Sequence, residues 1–423
     1  MPRTAIIGGG LAGLACAHAL ERHGAEWTLF EASDAVGGRV RTDLVEGFRL
    51  DRGFQVYLTA YRSAGELLDF QALRLREFRA GAEVFDGRGF TSVAHPLRHP
   101  ADALRGLVGK PAMALDLARL GPLALEGIRR PVAEPGLPEG STAELLRRLD
   151  VRAATRDGFV RGFFGGVFLD RSLETDASQF RFVMSAFARG ETCVPALGMG
   201  EIPRQIAAGL PSGRIRLRAP VASVRRQGRM HLVRTAAGDE QAFDSVVLAG
   251  DMSASHALDR RVPERPWCST TTFHWACPLA GLPTPLRAPV LFVDGTGEGP
   301  VNHAACLSSV SPEYAPPGQA LVMLNLVDVD WSAESMSGLV ARMVQQVERW
   351  FGRGAMRHWR LLRTDRILRA LPRQHTPDLH SRPSTQLDDG VYLAGDHVTD
   401  ASIDGAVRSG LRAAEAVRSA ATS

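Results

Sequence analysis

The chain opens with short apolar runs that are separated by a glycine-rich turn and a helix-forming stretch. Residues 5–7 form an apolar run that predicts a buried strand, and the glycine-rich residues 8–13 follow at once. Residues 14–23 favour a helix that stops at Gly24, and the apolar residues 27–30 predict a second strand. The order of strand, turn, helix and strand is typical of an α/β fold.

The far end of the chain, residues 390–417, has a similar pattern. An apolar strand there closes in a Gly-Asp pair, and a loop leads into a helix rich in small residues. Ser402 is suited to cap this helix, which is predicted to begin near Asp404 and Gly405. A strand and a helix at each end of the chain therefore frame the segments between them.

The middle of the chain combines helical and strand patterns. Residues 198–203 precede a predicted helix, and the alternation in residues 220–251 predicts a meander of half-buried strands. Residues 101–130 carry leucines at helical spacing with prolines at 111 and 122, which predicts two or three short amphipathic helices. Residues 159–169 place four phenylalanines beside a Gly-Gly pair and form either a buried core segment or the lining of an apolar tunnel.

Composition narrows the class of protein. The 423 residues are 45% hydrophobic and include 43 dispersed glycines, which indicates about two globular domains. The first strand is predicted to begin by residue 5, and no run of about 18 uncharged apolar residues occurs. We therefore expect no signal peptide and no membrane span, and we expect cytoplasmic residence.

The charge of the chain argues against a nucleic-acid partner, and its cysteine content argues against a metal site. The net charge of +4 is small for this length and the basic residues are dispersed, so nucleic acid is not an expected partner. The five cysteines form no CxxC pair and no metal-ligand spacing with histidine, which predicts reduced thiols and no metal site.

The glycine-rich turn has the spacing of a dinucleotide site. Gly8 permits a tight turn, Gly10 leaves room for a pyrophosphate, and Gly13 lets the helix pack closely on the strand. The diphosphate would lie against backbone N–H groups at the start of the helix, beside Leu11 and Ala12.

An acidic residue stands where such a site needs one. Glu31 follows Gly13 by eighteen residues and ends the second strand, just before Ala32. A carboxylate there accepts hydrogen bonds from the ribose hydroxyls of adenosine and repels a 2′-phosphate. The strand, turn, helix and acid together predict that the chain binds a dinucleotide.

A second glycine pair, Gly37 and Gly38, precedes Arg39 and the strand-like residues 48–56. In this order the chain resembles the flavin amine oxidase and carotenoid (phytoene) desaturase superfamily. The resemblance implies FAD rather than a nicotinamide nucleotide. It puts the Gly-Gly-Arg segment by the diphosphate and ribityl chain, and a strand containing residues 53–56 beside the flavin ring.

The resemblance also assigns residues from the rest of the chain. It matches Asp396 to the acid that hydrogen-bonds the ribityl and diphosphate region, turns the helix after Ser402 toward the flavin pyrimidine, and brings the backbone of Val221 to the adenine. For Arg41, a cofactor contact and a solvated surface charge stay open. The residues expected to bind FAD are Gly8, Gly10, Leu11, Ala12, Gly13, Glu31, Ala32, Gly37, Gly38, Arg39, Gly53, Phe54, Gln55, Val221, Gly395, Asp396, Ile403 and Ala406. For Ala406, ordinary close packing is the alternative to a cofactor contact, and the same interpretation applies to Gly410, Ala413 and Ala414.

The mode of cofactor attachment follows from a short loop. Residues 396–405 contain no cysteine, whereas covalently flavinylated relatives have one there, so we expect non-covalent FAD. No second GxGxxG with a strand and an acid follows, which predicts that a dedicated nicotinamide domain is absent.

The implied fold class is α/β, with a glutathione-reductase-like Rossmann domain for FAD and an interleaved α+β substrate domain. The substrate domain is expected to combine a mixed or antiparallel sheet with a helical cap. The FAD domain is predicted to comprise residues 1–60, 196–255 and 386–423, and the substrate domain residues 61–195 and 256–385.

The implied activity is FAD-dependent hydride abstraction from an apolar, isoprenoid or polyene-like substrate, with electrons passed to oxygen or a quinone. Of the 50 basic residues only Lys110 is a lysine, and it lies in an apolar helical stretch. Amine oxidases of the superfamily usually have a lysine in the later strands, which moves the prediction away from amines. Amine oxidation, porphyrinogen oxidation and redox-neutral isomerisation remain alternatives on the same fold.

Two expectations concern surfaces rather than chemistry. In carotenoid desaturases the region that corresponds to residues 101–130 touches membrane, which implies a peripheral contact with the inner membrane face. The alternative is a helical cap that packs on its own core. A flavin-free lipid-binding or protein-binding module is the alternative from another class. The intact set of Gly8, Gly10, Gly13, Glu31 and Asp396 argues against it.

Catalytic residues stay unassigned at this point. His274 and His303 lie in predicted strands of the substrate sheet and either could approach the ring, although a satisfied buried histidine is the simpler interpretation. Arg373, Gln374 and His375 lie near a restricted segment of relatives and receive no chemical role. Because the flavin itself accepts hydride, few acid or base groups are needed.

Overall fold

The computed structural model describes residues 3–96, 98–129, 134–331, 335–388 and 390–422. Within them the strands are β1 (Thr4–Ile7), β2 (Trp27–Phe30), β3 (Thr42–Val45), β4 (Phe48–Asp51), β5 (Tyr57–Leu58), β6 (Arg76–Glu77), β7 (Gly81–Phe85), β8 (Phe90–Ala94), β9 (Thr192–Val194), β10 (Ile215–Arg216), β11 (Val221–Gln227), β12 (Met230–Thr235), β13 (Glu240–Phe243), β14 (Ser245–Leu248), β15 (Trp267–Pro278), β16 (Leu291–Asp294), β17 (His303–Cys306), β18 (Gln319–Val327), β19 (Arg360–Pro372), β20 (Gln386–Asp388) and β21 (Val391–Leu393). The helices are α1 (Leu11–Arg22), α2 (Arg62–Gly65), α3 (Phe70–Leu73), α4 (Pro100–Leu107), α5 (Pro111–Arg129), α6 (Thr142–Arg148), α7 (Ala153–Thr155), α8 (Arg161–Phe168), α9 (Ala177–Arg189), α10 (Glu201–Ala208), α11 (Met252–Leu258), α12 (Leu307–Val310), α13 (Met336–Phe351), α14 (Thr376–His380) and α15 (Ile403–Thr422).

A six-stranded sheet joins the two ends of the chain. Its order is β10-β2-β1-β14-β21-β20, and every neighbouring pair is parallel except β20–β21. Both faces are covered, because Ile6 and Val247 pack toward α1 and α15 while Ala5 and Val246 pack on the meander β11-β12-β13. Burial on both faces explains why these strands are continuous apolar runs. The predicted strands, turn, first helix and meander are confirmed.

Helices α1 and α15 lie against each other beside this sheet. A Cβ at Gly410 would stand only 2.0 Å from the carbonyl oxygen of Ala12, so a glycine is needed for the helices to approach this closely. Ala413 and Ala414 are buried in the same cluster. The close-packing interpretation of these three small residues is confirmed.

A seven-stranded sheet lies beside the first, in the order β19-β15-β18-β17-β16-β7-β8. It is antiparallel except for the pair β7–β16. Side chains alternate between its faces. One face, including Phe273 and Trp275, packs on Met343 and Trp350 of α13, and the opposite face carries Thr272 and its neighbours.

Helices α4 to α9 form a helical layer. The predicted segment 101–130 forms two helices, and α5 continues through Pro122, so this proline does not end a helix; Arg130 lies outside the described residues. The segment 159–169 is helical, and Phe164 and Phe168 are buried in a core shared with α9. Of the two interpretations of residues 159–169, the buried core segment therefore describes these two side chains. Within the described part of the chain, no helix is both long enough and apolar enough to cross a bilayer.

Candidate functional site

The glycine turn joins β1 to α1 and leaves one open position. A Cβ at Gly8 would lie 2.6 Å from the carbonyl oxygen of Ala249, and a Cβ at Gly13 would lie 1.9 Å from that of Gly8, so both glycines permit close packing. A Cβ at Gly10 would meet no described atom within 4 Å. Gly10 therefore keeps a space clear in front of the helix, where no side chain caps the backbone N–H groups.

Glu31 is held against this turn. Its Oε2 accepts a hydrogen bond from the N–H of Gly9 at 2.6 Å, and its Oε1 accepts from the N–H of Ser33 at 2.8 Å. Ala32 follows it and is exposed. Each carboxylate oxygen accepts more than one hydrogen bond, so Glu31 retains capacity for hydroxyl groups of a ligand.

The second glycine pair packs on the first turn. The N–H of Gly37 donates to the carbonyl of Gly9 at 2.8 Å, and a Cβ at Gly38 would lie 3.3 Å from the Cα of Gly10. Gly37 and Gly38 have φ values of 118° and 58°, which favour glycine. The two glycine motifs, separate in sequence, thus border the same open space.

Arg39 extends from this pair to the far end of the chain. Its Nη2 lies 2.7 Å from Oδ1 of Asp396, a carboxylate only 6% exposed. Burial by itself lowers the pKa of Arg39, but the Asp396 carboxylate outweighs burial and the net pKa is raised. Nη1 of Arg39 also donates to the carbonyl of Ala370, and the guanidinium lies over the ring of Trp267. Asp396 and Arg39 therefore lie together, next to the second glycine pair.

The loop before α15 is fixed by several hydrogen bonds. The N–H of Gly395 donates to Oγ of Ser409 at 2.8 Å, and Ser402 caps α15 by accepting from the N–H of Gly405 at 2.9 Å. The capping prediction is confirmed. Gln374, which received no role from the sequence, accepts from the N–H of Ala401 at 2.9 Å.

Arg265 is a supporting residue that sequence reasoning missed. It is buried and donates to the carbonyl oxygens of Asp378 at 2.8 Å and His397 at 2.6 Å, so it holds the chain directly after Asp396. The His397 ring is also buried, and burial lowers its pKa to about 4. No local pattern marks Arg265, because its partners lie more than a hundred residues away.

The segment predicted as a strand beside the flavin has a different conformation. Strand β4 ends at Asp51, and Gly53 has a φ of 85°, which turns the chain away from the extended state. The prediction of a continuous strand over residues 48–56 is therefore wrong. The amide of Gln55 donates to the carbonyl of Arg39 at 2.8 Å, so this turn still lies next to the second glycine motif.

Phe54 points toward the seven-stranded sheet. Its ring centroid lies 4.8 Å from that of His303, and a Cβ at Gly53 would lie 2.7 Å from Cδ1 of Ile367. His303 and His274 both lie in strands, as predicted. His274 is buried and its Nε2 is 3.1 Å from Oδ2 of Asp365.

The remaining assigned residues are distributed around these groups. Val221 begins β11, beside the segment in which the N–H of Ala219 donates to the carbonyl of Glu31 at 2.9 Å. Ile403 begins α15, and Ala406 packs on the core of the six-stranded sheet. Arg41 pairs with Asp34 at 2.9 Å.

The sequence predicts that Lys110 lies in a helical stretch, but it lies in the connection between α4 and α5. Its Nζ is 2.9 Å from Oδ2 of Asp86. Among the described residues, no cluster of three or more His, Cys, Asp or Glu side chains is arranged to hold a metal ion.

The donor set fits a flavin dinucleotide. The space at Gly10 and the uncapped start of α1 suit a diphosphate, Glu31 suits a ribose, and the buried carboxylate of Asp396 suits the hydroxyls of a ribityl chain. The two ends of the chain supply these groups to one location.

Comparison with known proteins agrees with this geometry. The chain matches the family model for flavin containing amine oxidoreductase over residues 11–418. Carotenoid phi-ring synthase from Streptomyces griseus is 27% identical over 353 residues, 74% of this chain and 66% of that protein. Hydroxyneurosporene desaturase from Cereibacter sphaeroides is 28% identical over 287 residues, 60% of this chain and 57% of that protein. The matches therefore span less than two thirds of the length of these two relatives.

Solved structures establish the fold. A putrescine oxidase variant superposes with a TM-score of 0.73 at 17% identity and covers 99% of both chains. This similarity shows the architecture alone. The predicted α/β class, with a flavin-oxidase-like nucleotide sheet and a second mixed sheet, is confirmed.

Proposed function

The chain belongs to the flavin-containing amine oxidoreductase family, and from that premise we propose that it is an oxidoreductase that uses non-covalent FAD to take hydride from an apolar, polyene-like or isoprenoid substrate. Electrons would pass on to oxygen or a quinone. The observation that carries the proposal is the Arg39–Asp396 ion pair, because it brings the two ends of the chain together beside the open space at Gly10.

The residues that would hold FAD follow from the site. The backbone N–H groups at the start of α1 would bind the diphosphate, with Gly10 and Gly38 leaving room for it. Glu31 would accept hydrogen bonds from the adenosine ribose, and Asp396 from the ribityl chain. Val221 would lie at the adenine. When bound, the flavin supplies a ring that accepts hydride.

Other side chains would keep this arrangement rigid. Arg39 holds Asp396, while Ser409 and Arg265 fix the backbone on either side of that acid. Ser402 caps α15, whose positive N-terminal end would favour electron density on a neighbouring ring. Arg265, Asp396 and Ser409 are buried, which keeps water away from the backbone next to this acid.

The domain division is part of the proposal. Residues 1–60, 196–255 and 386–423 would form the FAD-binding unit, and residues 61–195 and 256–385 the substrate unit. The two sheets support this division, since the six-stranded sheet takes its strands from the first set and the seven-stranded sheet from the second.

The substrate class is supported by the relatives. Two proteins named for carotenoid chemistry match 74% and 60% of this chain. Amine oxidation, porphyrinogen oxidation and isomerisation are the outcomes that an assay must separate, since one fold serves many reactions.

We also propose a peripheral membrane contact through α4 and α5. Large apolar side chains are exposed there, including Leu104 at 72% and Leu125 at 45%. Such a surface suits the interface of a bilayer, from which a lipophilic substrate would enter.

The test is anaerobic reduction of the purified holoprotein. We expect a flavin spectrum that bleaches with polyenes such as neurosporene and keeps its colour with putrescine, L-amino acids and protoporphyrinogen. Bleaching by an amine or a porphyrinogen alone would overturn the polyene proposal. A colourless protein that cannot be reconstituted with FAD would favour the flavin-free binding module.

A further inference from the structure

One face of the seven-stranded sheet changes from apolar to polar along its strands. Thr272 of β15 and His303 of β17 both stand opposite Asn325 of β18, so the three residues form a row across three strands. All three are buried. Farther along the same face, Met323 and Leu321 are apolar core residues. On β15 the polar character continues to His274, which stands opposite Met323 and whose Nε2 lies 3.1 Å from Oδ2 of Asp365, so the row borders apolar residues along β18.

The polar row lies against the turn that follows β4. A Cβ at Gly53 would be 4.0 Å from Oγ1 of Thr272, and Phe54 contacts the ring of His303. Helix α8 closes another side, since a Cβ at Gly166 would be 2.9 Å from Nδ1 of His303. This corner adjoins the turn proposed to border the flavin ring.

Most of the polar atoms in this corner bond to one another. Oδ1 of Asn325 accepts from the hydroxyls of Thr272 at 2.7 Å and Thr270 at 3.0 Å. His303 differs, because its Nε2 is buried and finds no hydrogen-bond partner among the described residues. The side chain is only 3% exposed, so water outside the protein does not substitute for a partner.

The protonation of His303 is determined by its neighbour. The amide nitrogen of Asn302 donates to the carbonyl of Gly162 at 3.0 Å and lies 3.0 Å from Nδ1 of His303. An amide nitrogen only donates, so Nδ1 accepts and the neutral ring carries its proton on Nε2. Burial lowers the pKa of His303 to about 3, which keeps the ring neutral. The corner therefore presents a fixed N–H donor.

Leaving a buried N–H donor without a hydrogen-bond acceptor costs free energy, and the protein offers Nε2 of His303 only a weak acceptor. The Phe54 ring lies near His303 with its plane tilted by 59°, and an aromatic face is a poor substitute for an oxygen acceptor. An acceptor brought by the substrate would satisfy Nε2.

We propose that His303 is a specificity-determining residue whose Nε2–H donates to an oxygen atom of the substrate, so that the preferred substrate is a polyene with a hydroxyl or carbonyl group. The inference rests on the proposed function, because it takes the turn at Gly53 and Phe54 to border the flavin. A hydrocarbon in the same position would leave Nε2 unsatisfied.

The test compares two polyenes that differ in one oxygen, neurosporene and hydroxyneurosporene, in detergent micelles. Anaerobic flavin reduction gives kcat/KM for each with the holoenzyme. We expect wild-type protein to prefer hydroxyneurosporene by roughly tenfold. His303→Phe should reduce this ratio to about one by lowering only the hydroxyneurosporene value, and His303→Gln, whose amide also donates, should restore part of it.

His231→Phe is the matched control. His231 is also 3% exposed with an unpartnered Nδ1 among the described residues, but it lies in the meander. Its substitution should leave the ratio unchanged.

The outcomes separate the two proposals. Equal reduction by both polyenes in wild-type protein would overturn the role of His303 and leave the proposed function standing, even if His303→Phe fails to fold. Reduction by neither would overturn both. A loss of flavin content in His303→Phe with an unchanged substrate ratio would mean that His303 binds the cofactor instead.

Discussion

Arg39 and Asp396 form a 2.7 Å ion pair between the glycine motif near the start of the chain and the loop before its last helix. Two segments that are remote in sequence thereby define one site. The pair connects a partly exposed guanidinium with a carboxylate that is almost wholly buried. The proposed cofactor site therefore depends on the docking of both chain ends.

Asp396→Asn should weaken FAD binding by more than about tenfold, because it removes both a charge and the partner of Arg39. We expect a loss of about 1–2 kcal/mol in the free energy of unfolding, less than for a fully buried pair, since Arg39 is 36% exposed. FAD titration and urea unfolding measure both effects. Asp34→Asn, which breaks the exposed Arg41 pair, is the control and should change neither. Full flavin content in Asp396→Asn would contradict the assignment of this acid.

Gly10→Ala should separate folding from cofactor binding. Its Cβ would meet no described atom, and the Gly10 φ of −73° suits alanine, so the unfolding free energy should change by less than about 1 kcal/mol. The methyl group would occupy the space of the diphosphate and raise the Kd for FAD at least about tenfold.

Gly213→Ala is the matched control for Gly10→Ala, because its Cβ also meets nothing within 4 Å. It should keep wild-type affinity for FAD. Gly13→Ala should instead lower stability, since its Cβ would lie 1.9 Å from the carbonyl oxygen of Gly8. Unchanged FAD binding by Gly10→Ala would mean that the diphosphate lies elsewhere.

Flavin should leave the protein on denaturation. Residues 396–405 contain no cysteine, so acid precipitation is expected to release FAD into the supernatant at about one equivalent per chain. Absorbance of the supernatant and a search of the pellet for flavinyl peptides make the measurement. Cys268→Ser controls for a covalent link through Cys268, the one cysteine that is partly exposed, because the other four cysteines are buried. A yellow pellet would point to a covalent link.

His303 should contribute a specific pH dependence to stability. Its pKa is about 3 in the folded protein against an ordinary 6.5, so the unfolded chain takes up a proton first as pH falls. The contribution of His303 to stability is complete at pH values above its ordinary pKa of 6.5, and it is lost progressively as the pH falls toward the folded-state pKa of about 3. Between about pH 6 and 4, the free energy of unfolding of wild-type protein should fall by about 1.4 kcal/mol per pH unit more than that of His303→Phe.

Urea unfolding at several pH values measures this difference. His380→Phe is the control, because His380 is exposed and should leave the slope at the wild-type value. Equal slopes for wild-type protein and His303→Phe would mean that the buried ring is protonated in the folded state.

Exposed leucines should govern binding to vesicles. Replacing Leu104 and Leu125 by serine removes apolar side chains from α4 and α5, and should lower co-sedimentation with phosphatidylglycerol vesicles by roughly tenfold. Leu44→Ser is the control, since Leu44 is 68% exposed on β3. Equal loss with the control variant would argue for non-specific adsorption.

The sequence by itself determined the local elements and the class of ligand. Apolar runs, the spacing of Gly8, Gly10 and Gly13, and the serine before the last helix predict structures whose stabilising contacts lie within a few residues. The strands β1, β2 and β21 and the cap at Ser402 agree with those patterns.

Only the tertiary structure decided which distant residues meet. The Arg39–Asp396 pair, the bonds of Arg265 and the contact between Phe54 and His303 depend on how separate segments pack, and no local sequence pattern predicts them. The turn at Gly53 shows the same limit, because residues 48–56 look strand-like in the sequence while Gly53 adopts a positive φ next to Ile367. Long-range packing selects among conformations that local preference allows, and it set the orientation of the site.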